Sequence, residues 1–196
     1  MTAEDLTTAR SVHTAADGSG YDARRVRRLG VGPTAREVRI VHELDGILSE
    51  VHPATLLRTG QALWQAWCRH SAFTMPDLLL GLDAGGILPT VAVALASELP
   101  YRLAWKLDLD LPDKHQFSEL HARRTEVFTY GDLARTRVLI VDDEITTGGT
   151  LANLVDVLRG ADAEVVGIAC LIEDTTGGAR PPLQSLGVPL CTLTHL

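Results

Sequence analysis

The stretch that most constrains this 196-residue chain is Val138 to Thr150, VLIVDDEITTGGT. Val138, Leu139, Ile140 and Val141 form an unbroken, mostly β-branched apolar run, which predicts a strand buried on both faces of a parallel sheet. Asp142 and Asp143 follow where such a strand ends, and the carboxyl edge of an open α/β sheet is where ligands gather. Next comes Thr146-Thr147-Gly148-Gly149-Thr150, whose glycines permit a tight turn and whose hydroxyls can donate to an anion. Leu151, Leu154, Val155 and Leu158 then recur at helical spacing up to Gly160. The Thr/Gly turn therefore precedes a helix, where unpaired N–H groups and the helix dipole favour a phosphate. An acid pair beside a phosphate cradle suits a ligand with vicinal hydroxyls and a terminal phosphate, such as a ribose 5-phosphate. The stretch has neither the GxGxxG of a dinucleotide fold nor a Lys after its glycines, as a P-loop would.

This ordered string resembles the signature of type I phosphoribosyltransferases, which bind 5-phosphoribosyl 1-pyrophosphate (PRPP) with two adjacent acids and a Thr/Gly-rich loop. The resemblance implies that Asp142 and Asp143 engage the ribose hydroxyls as catalytic and binding groups. It places the 5-phosphate on Thr146, Thr147, Gly148, Gly149 and Thr150, with Glu144 pointing along the loop. It also implies an α/β, Rossmann-type fold: a central, mostly parallel sheet flanked by helices, with a small hood and a mobile lid. Residues 21–196 would be one phosphoribosyltransferase domain, with hood elements at about 21–52 and the lid at about 106–130.

Composition fits that size. At 45% hydrophobic residues and a mean hydropathy of +0.09 the chain suits one domain with a substantial core. A formal charge of −7 argues against nucleic-acid or acidic-membrane binding while leaving room for a local cationic site. Cys68, Cys170 and Cys191 lie far apart without a CxxC pair and are expected to be reduced, packed thiols. No apolar run is long enough for a membrane span and the first twenty residues lack a secretory core, so a cytoplasmic protein is expected.

Along the chain, Met1 to Gly20 is rich in small polar residues and is expected to be mobile. Arg24, Arg25, Arg27 and Arg28 cluster before Gly30, as solvated charge or as a contact to phosphate or a neighbouring subunit. Glu37 to Val41 alternates like a half-buried strand, with a turn near Asp45-Gly46. Pro53 to His70 predicts an amphipathic helix with Leu56, Leu57, Leu63, Trp64 and Trp67 on one broad face, its tryptophans core rather than cofactor contacts. Leu78-Leu79-Leu80, the glycine loop Gly81 to Gly86 and an apolar helix to Glu98 form a βα unit, followed by a strand at Tyr101 to Trp105. Lys106 to Tyr130 is long for a connection and points to a lid or hairpin over a site. Glu164 to Ile172 reads as another buried strand.

The same resemblance extends to these elements. Asp83, Ala84, Gly85 and Gly86 correspond to the family's pyrophosphate loop, with Gly85 where adenine-type and orotate-type members carry Arg or Lys. Lys106, Lys114 and His115 are the lid cations, and Lys114-His115 resembles a Lys and His that cover the leaving pyrophosphate in orotate-type loops. Glu173 corresponds to an acid that touches metal-bound water in some purine-type relatives. Asp174 stands where orotate-type members place an Arg, and an acid there would repel orotate. The implied reaction is Mg²⁺-dependent transfer from PRPP to an adenine-like base. Open alternatives are an unusual aromatic or sugar acceptor, orotate, or a non-catalytic PRPP-sensing regulator. The resemblance also implies a homodimer.

Overall fold

A computed structural model describes residues 11–14, 20–29, 38–118 and 126–196 of the chain. The first sheet is antiparallel, built from β1 (Ser11–Thr14), β2 (Gly20–Arg27) and β3 (Val38–His42) in that order. Helix α1 (Pro53–Cys68) leads to β4 (Leu78–Leu82), α2 (Ile87–Ser97) and β5 (Tyr101–Ala104). An antiparallel hairpin, β6 (Lys114–Ser118) and β7 (Glu126–Tyr130), comes next. Then follow β8 (Arg137–Ile145), α3 (Gly149–Gly160), β9 (Glu164–Glu173), α4 (Arg180–Ser185) and β10 (Leu190–His195). The main sheet has five strands in the order β10-β9-β8-β4-β5, every pairing parallel.

The apolar run of β8 is buried on both faces because successive side chains of a strand point to opposite sides. Val138 and Ile140 pack with Leu154 and Leu158 of α3, while Leu139 and Val141 join Leu63, Trp67 and Val93 from α1 and α2. Tyr21, Ala23 and Ile40 of the first sheet enter this second layer, so the hood shares the α1/α2 side of the core. Close approach is bought with small residues: a Cβ on Gly60 would sit 2.2 Å from the Ala92 carbonyl oxygen, and one on Gly167 2.3 Å from the Trp67 ring. Trp67 is thus a core residue, as its place in the helix pattern predicts.

Several expectations change. Strand β8 does not stop at Val141 but runs through the acids to Ile145, because β9 stays paired beside it as far as Ile145↔Glu173. The arginine cluster lies mostly within β2, a strand whose charged residues hide its alternation of buried Tyr21 and Ala23. Leu57 is exposed, so the buried face of α1 is narrower than its leucines suggest, and it includes Thr59 and Gly60. Cys68 is exposed rather than packed, whereas Cys170 and Cys191 are buried. Four residues of the N-terminal segment, Ser11–Thr14, form a strand; most of the rest of that segment, and residues 119–125 of the lid, lie outside the described residues. Among the described residues no helix is long and apolar enough to cross a membrane.

Candidate active site

The site forms where β4 and β8 release their chains. Pairing between them ends at Gly81↔Val141, so Asp142 and Asp143 project beyond that ladder, over the loop that follows β4. The loop is pressed against them. A Cβ on Gly85 would lie 2.0 Å from Asp143 Oδ2, and one on Gly86 2.8 Å from Asp142 Oδ1. The Asp143 carboxylate therefore occupies the space that a side chain at position 85 would need. The Asp83–Ala84 peptide in this loop is cis. Asp83 donates its N–H to the Ala104 carbonyl, and its carboxylate accepts the Lys106 N–H at 3.4 Å. The pyrophosphate-type loop, the acid pair and the start of the lid are thereby contiguous.

The two acids are electrostatically unlike. Burial and the adjacent Asp143 charge push the Asp142 carboxyl well above the usual carboxylate range. Burial acts in the same direction on Asp143, but the nearby His42, together with Asp142 and the Glu144 backbone, outweighs it, and the Asp143 carboxyl is held below its ordinary value. Two acids with separated affinities let one stay ionised while its neighbour holds a proton. His42, at the end of β3, is 2% exposed. Its Nδ1 meets the Tyr21 hydroxyl at 2.7 Å, and its Nε2 lies 3.3 Å from Asp45 Oδ1 and 3.7 Å from Asp143 Oδ2.

The phosphate-type turn is arranged differently. Gly148 is the N-cap of α3 with φ 73°, a left-handed conformation that glycine adopts without penalty, and no side chain caps the helix. Thr146 Oγ1 is buried without a hydrogen-bond partner, and a buried hydroxyl left in that state is costly unless a ligand completes it. A Cβ on Gly177 would lie 2.2 Å from the Thr146 carbonyl oxygen, so the segment after β9 packs directly beneath this turn.

The remaining expected site residues are distributed as follows. Glu144 accepts the Ile40 N–H of β3 at 3.3 Å, tying hood to sheet. Lys114 is exposed, pairs with Asp108 at 2.7 Å and lies over the Phe128 ring. His115 stands opposite Thr129 in the hairpin, and its Nε2 is buried without a partner. The hairpin rests on α3, where the Asn153 side chain accepts the Ser118 N–H. Lys114 and His115 thus belong to a hairpin docked on α3. Glu173 is 3% exposed and engaged by Arg180 through contacts of 2.6–3.1 Å, with His195 Nδ1 at 3.2 Å. Asp174 is not a bare acid: Arg25 reaches it at 2.7 Å and the Thr176 N–H and hydroxyl cap it. His42, Tyr21 and Asp45 were not selected from the sequence as site residues, and Arg25, read there as part of a charge cluster, was not matched to Asp174. A histidine closing an alternating strand just before an Asp-Gly turn was the only available signal for the first three.

The phosphoribosyl transferase domain model matches residues 50–184, spanning both loops and the acid pair. The chain belongs to the phosphoribosyl transferase domain family. Relatives include a xanthine phosphoribosyltransferase of Chloroflexus aurantiacus, 36% identical over 126 residues that make up 61% of this chain and 60% of that protein. An adenine phosphoribosyltransferase of Rippkaea orientalis is 35% identical over 126 residues, 63% of this chain and 72% of that one. The crystal structure of the adenine phosphoribosyltransferase of Rhodothermus marinus superposes with a TM-score of 0.67 at 23% identity, covering 89% of this chain and 94% of the other. The expected fold, a parallel sheet with flanking helices in the type I phosphoribosyltransferase arrangement, is the one observed.

Proposed function

We propose that this phosphoribosyltransferase moves the 5-phosphoribosyl group of PRPP to a purine-like base and releases pyrophosphate. One observation carries the reading: an acid pair of split proton affinity lies directly against a backbone loop on one side and leads, on the other, into an uncapped helix start whose buried threonine hydroxyl lacks a partner. Asp142 and Asp143 take the ribose hydroxyls, Thr146 to Thr150 the 5-phosphate, and Asp83 to Gly86 the pyrophosphate through backbone N–H groups. Lys106, beside Asp83, is the nearest lid cation to that loop in the chain, and Lys114 and His115 serve on the hairpin.

The C1–O bond to pyrophosphate breaks as a base nitrogen bonds to C1 with inversion, and the nitrogen gives up its proton. Positive charge gathers on the ribose and negative charge on the leaving group, so orientation and fixed charges matter more than a strong base. Mg²⁺, a hard cation, would be held mainly by the oxygens of PRPP, and when bound it would offset charge on the departing pyrophosphate. Glu173, committed to Arg180, would act only at a distance. The xanthine and adenine names of the relatives favour a purine acceptor. A cytoplasmic homodimer is part of the proposal.

The test supplies PRPP and Mg²⁺ with adenine, xanthine, guanine, hypoxanthine or orotate and measures pyrophosphate together with the ribosylated product by mass. Turnover of at least one purine is expected, well above orotate. Tight PRPP binding with no turnover of any base would replace the transferase reading with that of a PRPP sensor, and orotate as the best acceptor would overturn the purine assignment.

A further inference from the structure

Beside the acid pair, and contributed mostly by the hood, three side chains converge in a pattern that nucleotide transfer does not require. One ligand atom from each of His42, Asp45 and Asp143 lies within 4.8 Å of the other two. His42 is 2% exposed, and its Nε2, aimed between the two carboxylates, makes no hydrogen bond of acceptable geometry. We propose that His42, Asp45 and Asp143 form a protein-built site for a first-row divalent cation of the Mn²⁺ or Zn²⁺ kind, filled without PRPP.

The spacing fits such an ion. Ligand atoms about 2.1 Å from a metal at tetrahedral angles are about 3.4 Å apart, and the two separations from Nε2 are 3.3 and 3.7 Å. The outer contacts fit as well. A metal-bound imidazole ordinarily donates its other N–H to an oxygen, and Nδ1 meets the Tyr21 hydroxyl at 2.7 Å. Asp45 uses Oδ2 to accept the His42 N–H at 3.0 Å, which fixes the carboxylate and leaves Oδ1 toward Nε2. One imidazole and two carboxylates suit Mn²⁺ or Zn²⁺ better than Mg²⁺, which favours all-oxygen shells and retains its waters. An ion here would join β3 and its following turn to β8, stapling the hood to the sheet edge, and would hold the Asp143 carboxylate in place.

The inference is independent of the transfer reaction, because the experiment omits PRPP. Chelator-treated full-length protein is titrated with Mn²⁺, Zn²⁺ and, for comparison, Mg²⁺, following calorimetric heat, loss of the free Mn²⁺ resonance signal, and Tm. One Mn²⁺ or Zn²⁺ per chain is expected, bound at least tenfold more tightly than Mg²⁺, with Tm rising as the ion concentration rises. His42→Ala and Asp45→Asn should abolish both effects, and Tyr21→Phe, which preserves packing, should weaken binding about 10- to 100-fold. Circular dichroism on each variant separates loss of the site from loss of the fold. Binding unchanged in both His42→Ala and Asp45→Asn overturns the proposal. So does binding that requires PRPP, which would place the ion on the substrate, and so does the absence of any ion effect.

Discussion

The junctions after β4 and after β8 follow one recipe, a buried strand, a glycine pair and a helix, yet their glycines serve different physics. Gly148 is needed for its conformation, since φ 73° would strain any residue with a Cβ. Gly85 and Gly86 do not have positive φ; they are needed for space, with the acid carboxylates where their side chains would be. At one junction, after β8, the glycine sets the turn into the helix, whereas at the second, after β4, the acid carboxylates fill the space beside the glycines. An anion bound at the second must be held by backbone N–H groups and by cations supplied from elsewhere, because no cationic side chain can be grafted onto position 85 without moving Asp143.

The comparison breaks most sharply at the shared acids. Asp143→Asn should lower pyrophosphate release by about 10²- to 10³-fold, the scale for loss of one preorganised electrostatic partner; activity within tenfold of the parent would remove Asp143 from the chemistry. Next in size is Gly85→Ala, whose Cβ cannot coexist with the Asp143 carboxylate at 2.0 Å. It should cost about 1–3 kcal/mol in denaturant unfolding, as overpacking does, together with a loss of activity that adding Mg²⁺ does not restore. Unchanged stability and activity would show that the two loops are not in contact. Thr146→Val should separate binding from folding. Replacing a buried hydroxyl that has no partner should leave stability unchanged or raised, while the KM for PRPP rises about tenfold, the scale of one hydrogen bond to a charged group. A fall in stability with KM unchanged would mean that the hydroxyl serves the fold.

Legibility followed burial. The main sheet could be read because Val138 to Val141 and Leu78 to Leu80 are apolar runs that admit few alternatives. The acid pair and the Thr/Gly turn were legible because their residue types are chemically specific in that order. The hood was not. Strand β2 carries Asp22, Arg24, Arg25 and Arg27, and its burial rests on Tyr21 and Ala23, too sparse a pattern to reveal period two. Long-range partnerships were equally hidden: nothing local to Asp143 announces His42, about a hundred positions earlier, and nothing local to Asp174 announces Arg25. Glu173 looked like a ligand-facing acid because its place at a strand end was visible and its engagement by Arg180 was not.

Arg25 gives the smallest and most discriminating expectation, because it tests the hood rather than the sheet. Its guanidinium reaches Asp174 at 2.7 Å, with side-chain exposures of 23% and 8%. Burial alone would raise the Asp174 carboxyl, but the hydrogen bonds from Arg25 and Thr176 prevail and hold it below its ordinary value. A carboxyl depressed in the folded state contributes stability that is present above its unfolded pKa, about 3.9, and is lost as pH falls through the depressed value. Arg25→Ala should therefore destabilise the protein by about 1–2 kcal/mol at pH 7, between the small value of exposed pairs and the larger cost of breaking buried ones. The difference from the parent should shrink below about pH 4 as Asp174 protonates in both proteins. Equilibrium unfolding of the two across pH 3–7 measures this directly. A constant difference over that range would assign the Arg25 contribution to the packing of its methylenes on the hood.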